Sequence, residues 1–351
     1  MSLLEHHFNQ VSQWGEERGC KVVMTFSDAA QEHAALAQGA ALVDWSHTGV
    51  ATITGDERKD FLSGLITNQI KRVTPECAIY AGLLTPQGRY LWDFIIAEQQ
   101  MDENPRLLLL TEPGIQNLIG RLSMYLLRAK AKVSDASTTL GSLIVTGPQA
   151  PQVLTRLYAD IDFANQEPGT TVAPEAGVLV LKDPRHAAFG WRLVAEQAQL
   201  PNLWERLQAA QATPVGFHAW ESYRVAQALP RGGNDLEADI TLPLEAGFLE
   251  MQGVDFTKGC YVGQETTART HHRGTLKKRL FQVRWQEAAS PKLGDIISVG
   301  EDKEAGHLTS ISPAGGEALA IIRVSDWESG KPLMLGQTPL QVTKPAWASW
   351  A

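Results

Sequence analysis

Two stretches of the sequence decide the fold: residues 48–65 read TGVATITGDERKDFLSGL, and residues 141–157 read GSLIVTGPQAPQVLTRL. Each begins with a β-branched run typical of a strand and then passes through a Thr-Gly pair. Apolar residues follow six, seven and ten positions after Gly55 and Gly147, which is helical spacing. The shared order predicts an internal repeat that begins with a strand and a helix.

The similarity continues downstream of both stretches. Each copy has two strand-like segments around a turn with Pro in its second position, where the fixed φ of proline suits a type I or II turn. The turns are TPQG at 85–88 and DPRH at 183–186. Each copy then has a helical segment with proline near its start, at 113–127 and 201–210. We therefore predict duplicated β-α-β-β-α units, a ferredoxin-like pattern, over about residues 45–215.

The chain changes character after these units. Residues 217–229, FHAWESYRVAQAL, predict a helix, and residues 230–257 are irregular. Beyond about residue 275, short β segments alternate with Gly and Pro, which is typical of a small barrel or sandwich. The predicted strands are 279–285, 295–299, 306–311, 317–323 and 338–342. The fold class is therefore α+β with a C-terminal β domain.

Size and composition set the class of protein. The chain has 351 residues, 44% hydrophobic and 20% charged, which favours two or three globular domains. No apolar run approaches the length of a membrane span. The first ten residues, MSLLEHHFNQ, lack the features of a secretory signal. Three scattered cysteines are too few for a disulfide framework. We therefore expect a cytoplasmic location and no membrane partner.

The net charge of the chain argues against nucleic acid as a general partner. The formal net charge of −8 disfavours broad binding to nucleic acid. Residues 258–284 nevertheless contain seven Lys or Arg residues and one acid, Glu265. Such a local basic segment predicts a site for a small anion or for one protein partner, and its alternative interpretation is a solvated basic face.

The segment FTKGCYVGQETTAR, at 256–269, contains the most distinctive cysteine. A helix is predicted to begin near 262–263, so Cys260 would face the positive end of a helix dipole, and Lys258 adds positive charge. Both effects favour a reactive thiolate, whereas the commoner fate of a lone cysteine is burial. A hydrolytic nucleophile would need a positioned base, and no signature pairs Cys260 with His271 or His272. The same residues lack the spacing of a metal site.

Two polar residues in the first repeat are further candidates. Asp93 lies in the strand-like run RYLWDFII, where a carboxylate needs a partner or a function because its burial is costly. Alternation places Leu91, Asp93 and Ile95 on one face, and the aligned residue of the second repeat is Trp191. A strand-end aspartate that reaches solvent is the alternative. Asn68 follows the first repeat's helix, where Asn is also a natural terminating residue.

The octapeptide KGCYVGQE, residues 258–265, resembles the signature of the YgfZ group of folate-binding proteins. This group is related to the aminomethyltransferase, or T-protein, of the glycine cleavage system, and includes iron–sulfur assembly factors. The flanking LPLEAGFLEMQGVDFT and TARTHHRGTLKKRLF also match. So do LITNQI, YAGLLTPQGRYLWDFII and GFHAWESYRVAQALP, so the resemblance covers nearly the whole chain.

The resemblance implies a three-domain cloverleaf around a central hole, ending in a small β-barrel. The expected domains are 1–45 with 140–215, then 46–139 with 216–274, and finally 275–351. It implies that tetrahydrofolate binds in the hole and that the protein helps to make or repair iron–sulfur clusters, particularly [4Fe–4S]. The partners would be reduced folate and iron–sulfur assembly proteins or client enzymes.

The same resemblance nominates site residues. Asp93 falls where the T-protein has its folate-facing catalytic aspartate, and Cys260 is the motif thiol. The candidates for cofactor binding are Asp93, Asn68, Lys258, Tyr261, Gln264 and Arg269, and no metal ligands are predicted.

One departure from the enzyme relatives bears on the chemistry. Where T-proteins carry a Glu that holds the pterin ring, this chain has Ala226, followed by Gln227. The pterin would lose a charge-assisted hydrogen bond worth roughly 1.5–3 kcal/mol. We therefore expect an accessory role in cluster assembly rather than a turnover reaction. The alternatives are an aminomethyltransferase or other one-carbon transferase, and a folate-free scaffold that binds its partner through residues 269–284.

Overall fold

The computed structural model describes residues 11–101, 104–274, 276–286, 290–300 and 303–350, and only the backbone of Arg273. The first ten residues, on which the expectation of no secretory signal rests, lie outside this part of the chain. In the described part, no helix combines the length and apolar character needed to cross a membrane.

The chain opens with an antiparallel hairpin and a short helix. These elements are β1 (Gln13–Glu17), β2 (Cys20–Thr25), α1 (Ala29–Gln38) and β3 (Ala41–Asp44). The Asp28 side chain caps α1 by accepting a hydrogen bond from the backbone N–H of Ala30 at 2.7 Å.

The first repeat forms a five-stranded sheet with two helices. Its elements are β4 (Gly49–Thr54), α2 (Arg58–Ser63), β5 (Ile79–Leu84), β6 (Tyr90–Gln99), β7 (Arg106–Thr111), α3 (Ile115–Leu126) and β8 (Lys132–Asp135). The strand order is β5-β6-β7-β4-β8, and every neighbouring pair is antiparallel.

The second repeat has the same plan. Its elements are β9 (Leu140–Thr146), α4 (Ala150–Leu157), β10 (Thr171–Glu175), β11 (Val178–Lys182), β12 (Trp191–Glu196), α5 (Leu200–Ala209) and β13 (Thr213–Pro214). The strand order is β10-β11-β12-β9-β3-β13, so β3 from the start of the chain takes the place that β8 has in the first sheet.

Each repeat has two strands more than the predicted β-α-β-β-α order: β7 and β8 in the first repeat, and β10 and β13 in the second. The run at 106–111 is buried throughout and shows no alternation, while β10 contains a proline that argues against a strand. Proline is tolerated there because β10 is an edge strand. The alignment of Asp93 with Trp191 is therefore wrong: by position in the two sheets, β6 corresponds to β11, and β12 corresponds to β7.

The two sheets share one apolar cluster. Ile95, Leu108 and Leu110 of the first sheet belong to the same buried cluster as Leu179 and Val194 of the second. Ile95 therefore uses one face of β6 for the contact between repeats, and Asp93, two residues earlier, lies on that same face. This places Asp93 at the end of the contact between the two sheets.

The C-terminal part is a closed six-stranded barrel, as the sequence predicted. Helices α6 (Phe217–Ala226) and α7 (Gln264–Arg273) precede it. The barrel contains β14 (Lys278–Arg284), β15 (Ile296–Val299), β16 (Lys303–Ile311), β17 (Glu317–Arg323), α8 (Val324–Glu328), β18 (Leu333–Leu335) and β19 (Thr338–Thr343). Its order is β14-β17-β16-β15-β18-β19, closed by pairing of β14 with β19. The short β18 was not predicted.

Candidate functional site

Asp93 is buried and hydrogen-bonded on both carboxylate oxygens. The Tyr80 hydroxyl donates to Oδ2 at 2.9 Å, and the Tyr90 hydroxyl donates to Oδ1 at 2.6 Å. Tyr80 lies on the neighbouring strand β5, and Tyr90 lies three residues before Asp93 on β6. The Thr111 hydroxyl also donates to the Asp93 backbone carbonyl at 2.7 Å. These contacts fix the carboxyl group at one position between the repeats.

Burial controls the protonation of this group. It raises the pKa of Asp93, and the hydrogen bonds from Tyr90 and Tyr80 only partly oppose that rise. Burial also raises the pKa of both tyrosines, with Asp93 as the next cause, so their hydroxyls remain donors. The arrangement therefore stabilises a carboxyl group that holds its proton more tightly than a solvated aspartate.

A glycine-containing loop covers Asp93. We call residues 230–234 the covering loop. A Cβ placed on Gly232 would lie 2.0 Å from Asp93 Oδ1 and 2.5 Å from the Tyr90 hydroxyl, so only glycine fits there. Arg231 anchors the loop through Glu112 at 2.7 Å and Glu17 at 2.8 Å. The loop therefore blocks access to Asp93 from the side on which Gly232 lies.

Glu112 at the end of β7 is ionised within this cluster. Burial alone would raise its pKa, but the guanidinium of Arg231 and then that of Arg18 lower it to about 2. His47 lies nearby, and burial lowers the pKa of its imidazole to about 4. At neutral pH, His47 is therefore uncharged, and Arg231 and Arg18 balance the Glu112 charge.

The space beside Asp93 is small. A cavity of about 10 Å³ is bounded by Asp93, Tyr80, Glu112, Arg185 and Arg192. This is about the space that one water molecule needs. A pterin ring does not fit there while the covering loop is in place.

A much larger cavity lies between the second repeat, α6 and the barrel, and we call it the interdomain cavity. Its volume is about 1360 Å³, above the usual range for small-molecule sites. Trp191, Tyr223 and Trp285 supply aromatic walls, and Ala226 and Gln227 at the end of α6 also line it. Asp93 and Ala226, which the family resemblance aligns with the folate-facing aspartate and the pterin-holding glutamate of T-proteins, therefore line different cavities.

Cys260 is exposed on the surface, whereas Lys258 and Tyr261 on either side of it are buried. Lys258 turns inward and donates to the carbonyl of Ser63, the last residue of α2, at 2.8 Å and to that of Ile66 at 2.5 Å. Burial lowers the pKa of Lys258 to about 8. The Tyr261 ring is buried, and Gly263 approaches Thr85 so closely that a Cβ would lie 2.5 Å from its carbonyl oxygen. Between these buried residues, Cys260 is exposed and is a free cysteine.

Helix α7 begins at Gln264, close to the predicted start. The Gln264 side chain accepts a hydrogen bond from the backbone N–H of Tyr261 at 3.3 Å. Arg269 pairs with Glu265 at 2.5 Å on the exposed side of the helix. Neither Gln264 nor Arg269 lines the interdomain cavity, and the same holds for Lys258 and Tyr261.

The Asn68 side chain forms hydrogen bonds to the backbone of three other residues. Its amide nitrogen donates to the carbonyls of Tyr80 at 2.8 Å and Gln252 at 2.7 Å, and its side-chain oxygen accepts from the Gln69 N–H at 2.8 Å. The residue is almost fully buried. Both donors of the Asn68 amide are therefore used by the protein itself.

The predicted basic segment is partly neutralised. Arg279 lies 3.6 Å from Glu250, and Arg284 lies 2.6 Å from Glu317. With the pair between Arg269 and Glu265, three of the segment's basic side chains have acidic partners. This favours a solvated mixed surface over a continuous basic face.

Several residues of the buried cluster have no signal in the sequence. Tyr80 contacts Asp93, and Glu112 contacts Arg231 of the covering loop, only because folding brings distant segments together. Arg185 and Arg192 come from the second repeat. Tyr90 lies in the same strand as Asp93, but alternation would place residues three apart on opposite faces. The two side chains meet because the pairing of β5 with β6 shifts register between Trp92 and Tyr90.

Two protein-family models match the chain, one over the two repeats and the other over the C-terminal barrel. Residues 3–252 match the family described as the GCVT N-terminal domain. The chain belongs to this family. Residues 277–350 match the description "CAF17, C-terminal beta-barrel domain", in agreement with the closed barrel. The family resemblance inferred from the sequence is therefore confirmed.

The fold of this family member is similar to that of a solved enzyme. The glycine cleavage system aminomethyltransferase T from Bartonella henselae superposes with a TM-score of 0.81, over 100% of this chain and 98% of the enzyme. The sequences are 18% identical, so this likeness establishes the fold alone.

Curated relatives are named as iron–sulfur cluster assembly factors. The chain is 35% identical to the mitochondrial factor IBA57 of Mus musculus over 70% of this chain and 68% of the relative. It is 32% identical to the factor of Homo sapiens, with coverage of 66% and 63%, and to the homolog of Mycosarcoma maydis, with coverage of 72% and 59%. The matches thus span about three-fifths of the last two relatives' lengths.

These names also correct one expectation. The predicted cytoplasmic location is wrong by this comparison, because the relatives in mouse, human and Mycosarcoma maydis are all named as mitochondrial proteins. The expectation rested on the composition of the chain and on its first residues, and neither encodes a compartment reliably.

Proposed function

We propose that this protein is an accessory factor in the assembly or repair of iron–sulfur clusters, particularly [4Fe–4S], and that Cys260 supplies one ligand to the cluster being assembled. The observation that carries the proposal is the exposed thiol of Cys260 between the buried side chains of Lys258 and Tyr261. The relatives named as assembly factors support the same role.

The fixed backbone around Cys260 suits a docking role. Lys258 ties the segment to carbonyls at and just after the end of α2, and the Val262 N–H donates to the Gly64 carbonyl at 3.2 Å. A thiol held at one place on the surface loses little conformational freedom when it meets a partner. This supports contact with another protein rather than chemistry in a closed pocket.

The cluster would be shared with the partner. Among the residues that the structure describes, no group of three or more His, Cys, Asp or Glu side chains could hold a metal ion. An iron–sulfur assembly protein or a client enzyme must therefore supply the other ligands. The Cys260 thiol releases its proton to solvent, and the sulfur donates an electron pair to one iron atom of the cargo.

We further propose that a reduced folate, tetrahydrofolate by family resemblance, binds in the interdomain cavity. The cavity has the volume and the aromatic walls for a pterin, with Trp191 and Tyr223 on one side. Arg284, which pairs with Glu317 at 2.6 Å, lines the barrel side, and the glutamate tail of the folate would compete with Glu317 for it. The Asp93 cavity, at about 10 Å³, does not accept the ring.

The aminomethyltransferase alternative has less support. Transfer of a one-carbon unit needs the pterin held in one orientation, since small displacements cost orders of magnitude in rate. Ala226 offers no carboxylate to the ring, and Asp93 is engaged by Tyr80 and Tyr90 behind the covering loop. We expect no methylene-tetrahydrofolate from an aminomethyl-loaded lipoyl carrier at rates near those of a T-protein.

The cluster role is tested by complementation. In a deletion strain with low activity of several [4Fe–4S] enzymes, the wild-type gene should restore activity and Cys260→Ser should not. Cys20→Ser and Cys77→Ser are matched controls, because both thiols are partly buried and donate to backbone carbonyls at 3.7 Å. Full rescue by Cys260→Ser would remove the thiol from the function.

The folate role is tested by titration with tetrahydrofolate, followed by tryptophan fluorescence. Ala226→Glu should tighten binding by roughly 10- to 100-fold, because it restores a charge-assisted hydrogen bond inside the cavity. Asp93→Asn should leave the affinity unchanged. Weaker binding by Asp93→Asn with no effect of Ala226→Glu would instead place the folate at Asp93.

A further inference from the structure

Arg192 is buried without an ionic partner. It lies on β12, where alternation directs Trp191 to the interdomain cavity and Arg192 to the opposite side, toward Asp93. Its exposed fraction is 7%, and its Nε atom has no hydrogen-bond partner. No ion pair or hydrogen bond joins its guanidinium to any residue in the described part of the chain.

The other buried arginines of this region are all paired. Arg224 contacts Glu221 at 2.5 Å and Asp235 at 2.8 Å. Arg231 contacts Glu112 and Glu17, and Arg185 contacts Asp183 at 2.7 Å. A buried charge without a partner is costly, so the difference at Arg192 calls for an explanation.

The acids near Arg192 do not neutralise it. Glu112 is held by Arg231 and Arg18, and the Asp93 oxygens accept hydrogen bonds from two tyrosines. Arg185 is a second cation beside the cavity, although Asp183 binds it in bidentate fashion. Burial, and then Arg185, lower the pKa of Arg192 to about 10, so the group is still charged at neutral pH. The Arg192 guanidinium therefore has no acidic group in direct contact in the described part of the chain, unlike the neighbouring arginines.

The cavity beside this charge has a definite size. Its volume of about 10 Å³ admits one water-sized particle and excludes phosphate, sulfate or a carboxylic acid. Arg185 and Arg192 line it together with Thr111, and Asp93 and Glu112 are its acidic residues. Size and charge together select a monatomic anion.

We propose that the cavity between the two repeats binds a single halide-sized anion, chloride in solution, and that the Arg192 guanidinium holds it. The anion would supply the missing partner of Arg192 and link β12 of the second repeat to β6 and β7 of the first. This site is independent of Cys260 and of the interdomain cavity. An anion that binds only the folded protein stabilises it by mass action.

Thermal unfolding of the full chain tests the proposal. At constant ionic strength, replacement of sodium gluconate by sodium chloride should raise the unfolding temperature progressively and saturably, because gluconate is too large for the cavity. Constant ionic strength keeps general screening equal. Arg192→Gln should abolish the chloride dependence. Arg206→Gln, which changes a half-exposed arginine paired with Glu175, should retain it.

Two results would overturn the proposal: equal unfolding temperatures in chloride and gluconate, or an undiminished chloride response in Arg192→Gln. If that variant does not fold, crystals of the wild-type protein soaked in bromide give a second measurement. An anomalous bromine peak beside the Arg192 guanidinium is expected there. A water molecule in the cavity without bromine would show that the site does not select anions.

Discussion

Asp93 and Cys260 are the two residues to which family resemblance assigns chemistry, and the structure treats them in opposite ways. Around Asp93, the side chains of Tyr80 and Tyr90 turn inward, and the covering loop closes over the carboxyl group. Around Cys260, the neighbouring side chains turn into the protein and leave the thiol outside. The carboxyl group is fixed and shielded, whereas the thiol is fixed and available.

This difference separates a structural role from a functional one. The buried Asp93 carboxyl group, with hydroxyl donors on β5 and β6, ties two strands of the first sheet together. The loss of one partner would leave a buried polar group unsatisfied. An exposed thiol with no hydrogen-bond partner contributes little to stability. The comparison predicts large effects on folding at Asp93 and small ones near Cys260.

A matched pair of glycine substitutions gives the largest contrast. Neither Gly232 nor Gly259 has a positive φ, so only the space around each Cβ differs. Gly232→Ala would push a methyl group against Asp93 Oδ1 and should lower the free energy of unfolding by about 1–3 kcal/mol. Gly259→Ala meets nothing within 4 Å and should have almost no effect.

Urea unfolding of both variants checks this contrast. Equal stability of the two would mean that the covering loop is displaced at little cost, and Asp93 would then be accessible to a ligand. In that case the Asp93 region would resemble the Cys260 region more than the structure indicates.

The pH dependence of stability gives a second, smaller contrast. Because the pKa of Asp93 is raised in the folded state, the native protein keeps a proton that the unfolded chain releases above its usual pKa of 3.8. The contribution of Asp93 to the free energy of unfolding is fully present below pH 3.8. It is lost as the pH rises through the pKa of Asp93 in the folded protein. Relative to Asp93→Asn, wild-type stability should therefore fall with rising pH, by at most about 1.4 kcal/mol per pH unit.

Unfolding free energies of both proteins between about pH 4 and pH 8 measure this difference. Cys260→Ser serves as the control from the other region and should follow the wild-type curve throughout. A wild-type advantage over Asp93→Asn that grows with pH would mean that the folded carboxyl group is stabilised as an anion.

The sequence predicted the repeated strand and helix, the barrel and the start of α7, because these depend on local patterns such as the Thr-Gly pairs and Gly263. It missed β7 and β10, since one strand is apolar on both faces and the other contains proline. The partners of Asp93 were also missed. Tyr80 and Thr111 come from other strands, and Tyr90 reaches Asp93 through a register shift in β6, so none of these contacts leaves a local pattern.

The smallest expected effect lies on the exposed face of α7. Arg269 and Glu265 are separated by one helical turn, with exposed side-chain fractions of 52% and 85%. Water screens such a pair, so Arg269→Gln should lower the free energy of unfolding by only about 0.3–0.5 kcal/mol.

In roughly 1 M salt the Debye length falls to about 3 Å, and the difference between Arg269→Gln and wild type should vanish. Glu265 would still favour the helix, because it lies in the first turn, where the dipole stabilises a negative charge. Urea unfolding at low and high salt measures both values. A loss above about 1 kcal/mol that persists at high salt exceeds what an exposed pair contributes. Such a loss would show that the Cys260 region depends on buried charge in the way the Asp93 region does.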